Sequence, residues 1–408
     1  MQTHLPAKLL ETPDGKEADR ILRSCVHCGF CTATCPTFLI TGNELDSPRG
    51  RIYLIKEVLE TGKATQITRT HLDRCLSCQA CETTCPSDVN YHSLLNIGRE
   101  VIAEASPEKL GKKLKRVFLL GILGSGNAFS FLVKLGQTFR QFLPKSLTSQ
   151  LPGKSLFAVT DLDPRKNNRK VVLLNGCVQS SLSPDTSLAS NVVLNRLGIE
   201  ALHISSESCC GAMTFHSNQQ EKGLNKAKLL IDQIIKELDE GAEAVISTAS
   251  GCGNFIKDYS SIFKKDNEYQ AKVSRVVDAV SDISEFLVQE DLGKLKPSAG
   301  QQLAFHSPCT LQHGQQLGGV TESLLEQLGF VLPEIKNSHL CCGSAGTYSL
   351  FQPEMAKELG QNKIQSLQET GCENIATANI GCQCHLAGVS KKNIRHWIEF
   401  VAQSNTSV

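Results

Sequence analysis

The stretch Cys25-Val-His-Cys28-Gly-Phe-Cys31-Thr-Ala-Thr-Cys35-Pro36 decides the N-terminal fold, because its spacing returns in Cys75-Leu-Ser-Cys78-Gln-Ala-Cys81-Glu-Thr-Thr-Cys85-Pro86. Every cysteine is offset by 50 residues. Three cysteines separated by two-residue gaps can turn their thiolates toward one compact metal centre, and a fourth thiolate has to come from elsewhere. The spacing matches the bacterial run C-x2-C-x2-C-x3-C-P, in which the fourth cysteine binds the other of two [4Fe-4S] clusters.

The eight cysteines are therefore predicted to bind two [4Fe-4S] clusters with crossed ligands. One cluster is assigned to Cys25, Cys28, Cys31 and Cys85, and the other to Cys35, Cys75, Cys78 and Cys81. A pair of structural zinc sites is the alternative, but zinc sites usually show two C-x2-C pairs. We expect His27 to pack beside a cluster, whereas Arg49 and Arg51 either offset cluster charge or lie on the surface.

The residues around these cysteines predict a helical module over residues 1–105. Pro48 suits the first turn of a helix, and the run IYLIKEVLE that follows it is amphipathic. The run NYHSLLNIGREVIAEA after the second cysteine stretch predicts another helix. The cysteines should therefore lie on loops between helices.

A longer repeat fills the C-terminal half of the chain. Its first copy contains Cys177, Cys209, Cys210 and Cys252, and its second contains Cys309, Cys341, Cys342 and Cys382. Apolar, β-branched runs precede the single cysteines, and helical patterns such as KAKLLIDQIIKEL lie between them. Strands that alternate with helices predict parallel sheets. Ligands of such sheets bind beyond the carboxyl ends of the strands, where these cysteines lie.

The double cysteines leave several kinds of site open. With thiolates from the strand ends they could hold an unusual iron–sulfur cluster, a single metal ion or a redox-active disulfide, and buried structural thiols are the simplest alternative. Cys372 is expected in the core, and Cys384 is expected as an auxiliary ligand beside Cys382. Core or hydrogen-bonding roles are expected for His306, His313 and His339.

Composition narrows the class of protein. The 408 residues carry a formal net charge of +1, which gives no reason to expect nucleic acid as a partner. Eighteen cysteines in a long chain whose first residues lack the pattern of a signal peptide indicate a reducing cytoplasm and metal binding. No G-x-G-x-x-G follows a predicted strand, so the flavin or nicotinamide site is expected on another polypeptide.

Residues 106–168 are predicted to connect the two halves of the chain. The apolar stretch from Val117 to Val133 is too short and too rich in glycine and serine for a bilayer crossing. A buried helix is the favoured interpretation of this stretch, and a membrane-surface or partner-docking helix is the alternative. Pro144, Pro152 and Pro164 indicate a linker. The predicted domains are then 1–105, 106–168, 169–300 and 301–408.

The chain resembles the glycolate oxidase iron–sulfur subunits, whose cysteine-rich "CCG" domains are similar to the heterodisulfide reductase B subunit. The resemblance covers essentially the whole chain and is carried by LRSCVHCGFCTATCPTF, LDSPRGRIYLIKEVLE, HLDRCLSCQACETTCPS, TASGCGNFIKDY, LAFHSPCTLQH, HLCCGSAGTYSL, TANIGCQCHLAG and IRHWIEFV. It implies an α+β multidomain fold with an N-terminal α-helical two-cluster ferredoxin module followed by two repeated α/β CCG domains. One departure is that Phe255 and His385 stand where heterodisulfide reductase has a fifth cysteine, which puts disulfide-reducing chemistry in doubt.

The resemblance also implies a function. FAD-containing subunits of the same complex would oxidise glycolate to glyoxylate, and this chain would relay their electrons through two [4Fe-4S] clusters, with a further iron–sulfur cluster in a CCG domain as a candidate, toward quinone at the inner face of the cytoplasmic membrane. Related lactate and glycerol-3-phosphate dehydrogenases are alternatives. Two rivals are a self-sufficient CCG-type disulfide reductase and a zinc-binding scaffold without redox activity.

Overall fold

The computed structural model describes residues 1–108, 110–124, 126–139, 157, 169–390 and 392–404. The linker prolines Pro144, Pro152 and Pro164 lie outside the described residues. The N-terminal part is entirely helical where it has regular structure, as predicted. Its α-helices are Ala7–Leu10, Pro13–Ser24, Phe30–Ala33, Pro36–Thr41, Pro48–Thr61, Gln66–Asp73, Ala80–Thr83 and Tyr91–Ala105, with a 3-10 turn at Glu44–Asp46.

The Pro48–Thr61 helix forms the centre of this part. Its Ser47 N-cap accepts a hydrogen bond from the Gly50 amide, Pro48 starts the first turn, and Gly62 ends the helix with a left-handed backbone. Ile52, Ile55 and Leu59 lie on its buried face and pack against the Tyr91–Ala105 helix. Both predicted helices are thus confirmed, and they hold the two cysteine loops at a shared core.

Two helices follow, Leu110–Leu123 and Gly126–Thr138. They are bent by 84° relative to each other. Within the described chain no single helix is long and apolar enough to cross a membrane, and only this bent pair, taken together, has that length and composition. Phe118 and Phe131 are 68% and 65% exposed. The favoured interpretation of a buried helix is therefore wrong, because these apolar side chains face away from the core.

The first repeat forms a parallel sheet of four strands, in the order β2-β1-β3-β4. The strands are β1 (Arg169–Leu174), β2 (Ile199–Leu202), β3 (Ala244–Ser247) and β4 (Val280–Asp282). The helices between and after them are Gln179–Leu182, Pro184–Arg196, Ala212–Phe215, Gln220–Asp239, Ser250–Lys257, Tyr259–Ile262, Gln270–Ala279 and Ile283–Leu287, and a 3-10 turn follows at Leu292–Lys294.

The second repeat forms a smaller parallel sheet in the order β5-β6-β7. Its strands are β5 (Ala304–His306), β6 (Ile375–Thr377) and β7 (Ile394–His396). Its helices are Val320–Gln327, Tyr348–Phe351, Pro353–Gln368, Ile380–Val389 and Trp397–Ser404, and a π-helical turn spans Thr310–Gly314. The parallel sheets and the α/β repeats agree with the prediction.

The two repeats share one hydrophobic core. It contains Val171 and Leu173 of β1, Phe305 of β5 and Trp397 of the last helix, all 4% exposed or less. That last helix packs against Pro184–Arg196 of the first repeat. The expected boundaries after residues 105, 168 and 300 fall at the end of a helix, before β1 and in a loop before β5. The division into domains stays a prediction.

Candidate metal centres

The first cysteine cavity encloses about 440 Å³, part of it open to solvent. Cys25 follows the Pro13–Ser24 helix, and Cys28 is the exposed member of the set. The cavity is lined by the four cysteines of the first predicted cluster, Cys25, Cys28, Cys31 and Cys85, and Cys81 also borders it.

The second cysteine cavity borders the first, and Cys81 lines both. It is lined by the four cysteines of the second predicted cluster, Cys35, Cys75, Cys78 and Cys81. Among the described residues that line the two cavities there is no carboxylate. Two groups of four thiols without hard oxygen ligands suit iron–sulfur clusters. The structure therefore places the four cysteines assigned to each cluster around one cavity. Ligation of a cluster by each residue stays a prediction.

The two cysteine loops share an unusual backbone. His27 and Gly29 have φ values of 56° and 86°, and Ser77 and Gln79, at the same places 50 residues later, have 52° and 60°. Left-handed residues turn the chain sharply, and they point successive amides toward the inside of the loop, where an anion binds. His27 stacks on Tyr53 at 4.6 Å, so it packs beside the first cavity, as expected.

Arg51 is a buried cation beside the second cavity, and the structure excludes its alternative place on the surface. Its side chain is 1% exposed and donates to the carbonyl of His71 at 2.8 Å and to Thr37 Oγ1 at 3.0 Å. Burial by itself lowers the pKa of Arg51. The negative potentials of Cys75, Tyr91, Cys35 and Asp46 outweigh burial and raise the pKa above its usual value, so the guanidinium stays charged. Arg49 lies beside the first cavity and donates to the His27 carbonyl at 3.3 Å.

Asp46 is a buried carboxylate beside Arg51 that the sequence did not single out. It is fully buried, and its carboxylate lies 2.8 Å from His71 Nδ1, 3.0 Å from Arg74 Nη1 and 3.6 Å from Arg51 Nη2. The only signal was its place in the run LDSPRGR. This carboxylate orients the cation that faces Cys35.

The first CCG set brings its four cysteines together beyond the ends of β1 and β3. Cys177 Sγ lies 3.3 Å from Cys209 Sγ, and the thiol of Cys210 forms hydrogen bonds with those of Cys209 and Cys252. The thiols of Cys177 and Cys210 donate to Cys209, which lowers the pKa of Cys209 well below its usual range. Metals bind the thiolate form of cysteine, and these hydrogen bonds favour Cys209 as the ionised member of the set.

The second CCG set repeats this arrangement. Cys309 Sγ lies 3.7 Å from Cys341 Sγ, and Cys342 bonds with Cys341 and Cys382. Cys384 follows Cys382 by two positions on the Ile380–Val389 helix, where side chains diverge by about 200°. The structure thus places Cys384 away from the other sulfurs, whereas Cys372 is buried in the core as expected.

Phe255 and His385, which stand where heterodisulfide reductase has a fifth cysteine, take part in packing. Phe255 is 2% exposed and contacts the rings of Phe215 and Tyr259 at 5.3 and 5.6 Å. His385 Nε2 is bonded to the Ala356 carbonyl at 2.9 Å.

The second CCG set adjoins the second cysteine cavity. Leu76 and Cys78 of the cysteine loop share one buried cluster with Cys309, Cys341 and Tyr348. Burial raises the pKa of Cys78 well above its usual range, and the negative potential of Cys309 raises it further. A hydrogen bond of 3.0 Å between Thr83 Oγ1 and His313 Nδ1 joins the same two parts. The sequence did not predict this contact between the ferredoxin module and the second repeat.

These features define an iron–sulfur protein with a two-cluster ferredoxin module and two cysteine-rich α/β domains. The family model of the 4Fe-4S dicluster domain matches residues 21–89, and that of the cysteine-rich domain matches residues 171–257 and 303–387.

The relatives identify the family. The chain is 47% identical over 404 residues to the glycolate oxidase iron-sulfur subunit of Escherichia coli (strain K12), covering 99% of both chains. It is 29% identical over 392 residues to the probable glycolate oxidase iron-sulfur subunit of Bacillus subtilis (strain 168), covering 88% of this chain and 87% of that one. Lactate utilization protein A of Bacillus cytotoxicus is 27% identical over 54% of this chain and 90% of its own. The chain belongs to the glycolate oxidase iron–sulfur subunit family.

Proposed function

We propose that this chain is the electron-transfer subunit of a glycolate-oxidising complex. FAD-containing subunits oxidise glycolate to glyoxylate, and the chain carries their electrons toward quinone. The observation that carries the proposal is the row of neighbouring cysteine groups, in which the two cysteine cavities adjoin through Cys81 and the second contacts Cys309 and Cys341. Related proteins named for glycolate oxidase support glycolate as the substrate of the complex.

We infer that electrons enter the chain at the exposed face of the first cavity. Cys28 is exposed, and Val26, Phe30 and Tyr53 around it are at least 53% exposed. A redox partner can approach the first cavity at this face. The second cavity is covered by the second repeat, so electrons that enter at Cys28 pass through the second cavity to the second CCG set. We assign the first cluster to Cys25, Cys28, Cys31 and Cys85, the second to Cys35, Cys75, Cys78 and Cys81, and further metal centres to the two CCG sets.

The complex assembled with its flavoprotein subunits tests this relay. Cys28→Ser is expected to lower glycolate-dependent quinone reduction at least tenfold, whereas glycolate oxidation with a dye that accepts electrons directly from the flavin is unchanged. Cys372→Ser is the matched control, because Cys372 is buried in the core, away from both cavities. Normal quinone reduction in the Cys28→Ser complex would refute the relay.

We also propose that the helices Leu110–Leu123 and Gly126–Thr138 bind an anionic membrane surface at the cytoplasmic side. Their exposed apolar side chains are Leu110, Leu114, Val117, Phe118, Phe131, Leu132 and Leu135. Lys112, Lys113, Lys115 and Lys134 are exposed beside them, and the sequence from 110 to 139 contains no Asp or Glu. Exposed apolar side chains next to cations are typical of helices that lie in the headgroup region.

The rest of the protein fixes these helices by their inner side. Leu120 and Val133 are buried, Arg116 pairs with Glu108 at 2.9 Å, and Lys226 donates to the Gly124 carbonyl at 3.3 Å. The bend between the helices therefore presents one apolar and basic surface outward. This surface would hold the complex close to its quinone acceptor.

A further inference from the structure

His306 lies at the end of β5, three residues before Cys309. One of its ring nitrogens and the sulfurs of Cys342 and Cys382 all lie within 4.8 Å of one another. A metal with bonds of about 2.0–2.3 Å to nitrogen and sulfur holds tetrahedral ligand atoms about 3.3–3.8 Å apart. Small side-chain rotations would bring these three atoms onto one ion.

The imidazole of His306 has a nitrogen without a hydrogen-bond partner. The residue is 2% exposed, and among the described residues no group bonds to its Nε2. Three other histidines of this repeat differ, since His313, His385 and His396 each form a hydrogen bond with a backbone carbonyl at 2.8–2.9 Å. A buried histidine that lies beside two thiols and has a ring nitrogen without a partner fits a Cys/His metal site.

A buried cation accompanies this imidazole and the thiols beside it. Lys363 is 3% exposed, donates to the carbonyls of Asn337 and Ser338, and faces the thiols of the second CCG set. Its ammonium group offsets the charge of the thiolates.

The first repeat has no counterpart of His306. The offset of 132 residues between Cys177 and Cys309 places Leu174 at the equivalent position, the last residue of β1. The two CCG sets therefore share their four cysteines but differ in one nitrogen ligand. The sequence favoured a core or hydrogen-bonding role for His306, because a single histidine after a strand carries no ligand pattern.

We propose that His306 is a ligand of the metal centre in the second CCG set, which then has mixed nitrogen and sulfur ligation, whereas the first set has thiolates only. This inference rests on the proposal that the second set binds metal. The bound ion is zinc or an iron of a cluster, both of which accept cysteine together with histidine. A neutral imidazole adds no negative charge to an iron centre, whereas a thiolate at the same place would make the centre more negative and lower its reduction potential.

The test uses the full chain, purified without oxygen and labelled with 15N at histidine. Pulsed EPR of the reduced protein detects a directly bound nitrogen on iron, and X-ray absorption at the zinc edge detects a nitrogen at about 2.0–2.1 Å on zinc. We expect a bound nitrogen in the wild type, its loss in His306→Leu, which copies Leu174, and its retention in His339→Leu. A wild-type spectrum without a bound nitrogen refutes the inference even if His306→Leu fails to fold.

Two results overturn the inference, and they are distinguishable. Metal in the second set with sulfur ligands alone refutes the role of His306 but leaves the electron relay intact. Equal metal content in the wild type and in a Cys342→Ser/Cys382→Ser double variant shows that the second set binds no metal, and then the proposed metal centre fails together with its histidine ligand.

Discussion

Arg51 Nη1 lies 3.9 Å from Cys35 Sγ, inside the protein and out of contact with solvent. The guanidinium is held there by Thr37, the His71 carbonyl and Asp46. A fixed positive charge at this distance favours the more negative, reduced state of a cluster bound by Cys35, because few water molecules screen it. The second cavity therefore has beside it a charge that would raise the reduction potential of a cluster bound there.

Replacing Arg51 by Met is expected to lower the reduction potential of the second cluster. For one electron, each loss of about 1.4 kcal/mol of interaction corresponds to about 60 mV. The variant should also lose about 3–5 kcal/mol of stability, because a buried ion pair loses one partner. Potentials are measured by EPR-monitored redox titration.

Arg49→Met is the matched control for Arg51→Met. Arg49 is 32% exposed and lies beside the first cavity, so solvent screens its charge and any smaller shift should fall on the other cluster. Equal potentials of the second cluster in the wild type and in Arg51→Met would show that the buried guanidinium does not tune it.

Gly343→Ala is expected to destabilise the second repeat and empty its cysteine set. Gly343 has a φ of 90°, and a Cβ there would lie 2.7 Å from Leu359 Cβ and 2.8 Å from the Ala356 carbonyl oxygen. Its amide also donates to Cys341 Sγ at 3.4 Å. We expect a loss of more than about 2 kcal/mol from the left-handed backbone and the clash together, measured by anaerobic urea unfolding.

Gly62→Ala is the control for the glycine of the double-cysteine motif. Gly62 has a φ of 69°, but a Cβ there would meet nothing within 4 Å. Only the cost of the left-handed backbone applies, about 1–2 kcal/mol, and the iron content should stay unchanged. If Gly62→Ala and Gly343→Ala lost equal amounts of unfolding free energy and of bound metal, close packing around Gly343 would not explain the loss in Gly343→Ala.

The proposed membrane surface predicts flotation of the chain with vesicles that contain anionic phosphatidylglycerol. Phe118→Glu together with Phe131→Glu should reduce the bound fraction at least tenfold, because charged side chains resist insertion at the headgroup boundary. Leu229→Glu, at a leucine that is 59% exposed elsewhere on the protein, should bind like the wild type. Wild-type protein that stays in the aqueous fraction at low salt would show that the two helices do not bind this lipid. If the chain then binds the flavoprotein subunits through the same helices, the exposed surface is a docking site for a protein partner.

Asp282 predicts a fall in stability with rising pH. Complete burial raises the pKa of its carboxyl to about 6, against 3.8 in the unfolded chain. Between these values the folded state binds more protons than the unfolded state, so the contribution is fully present below the unfolded pKa and is lost as pH rises through about 6. The total is about 3 kcal/mol.

Asp282→Asn isolates this titration. The amide oxygen can still accept from the Ser284 amide at the start of the Ile283–Leu287 helix, as Asp282 Oδ1 does at 3.0 Å. Thermal midpoints are measured without oxygen from about pH 4 to 7.5. The wild type should lose stability relative to Asp282→Asn between about pH 4 and 6 and run parallel to it above about pH 6.5, whereas parallel curves over the whole range would contradict a raised pKa.

The sequence by itself determined the class of protein. Eight cysteines at repeated, short spacings restrict the metal centre through local chain geometry, so the crossed groups around Cys25 and Cys75 could be predicted before any fold was known. The apolar runs before Cys177 and Cys309 likewise predicted parallel strands, because hydrophobic periodicity is a local property of the chain.

Tertiary structure alone decided which groups face each other across long sequence separations. Cys78 meets Cys309, Arg51 is buried beside Cys35, and His306 joins Cys342 and Cys382. The helices after residue 110 could equally have been buried or exposed by their composition, and their exposure depends on what packs against them. Such contacts follow from how whole elements pack, and no spacing along the chain encodes them.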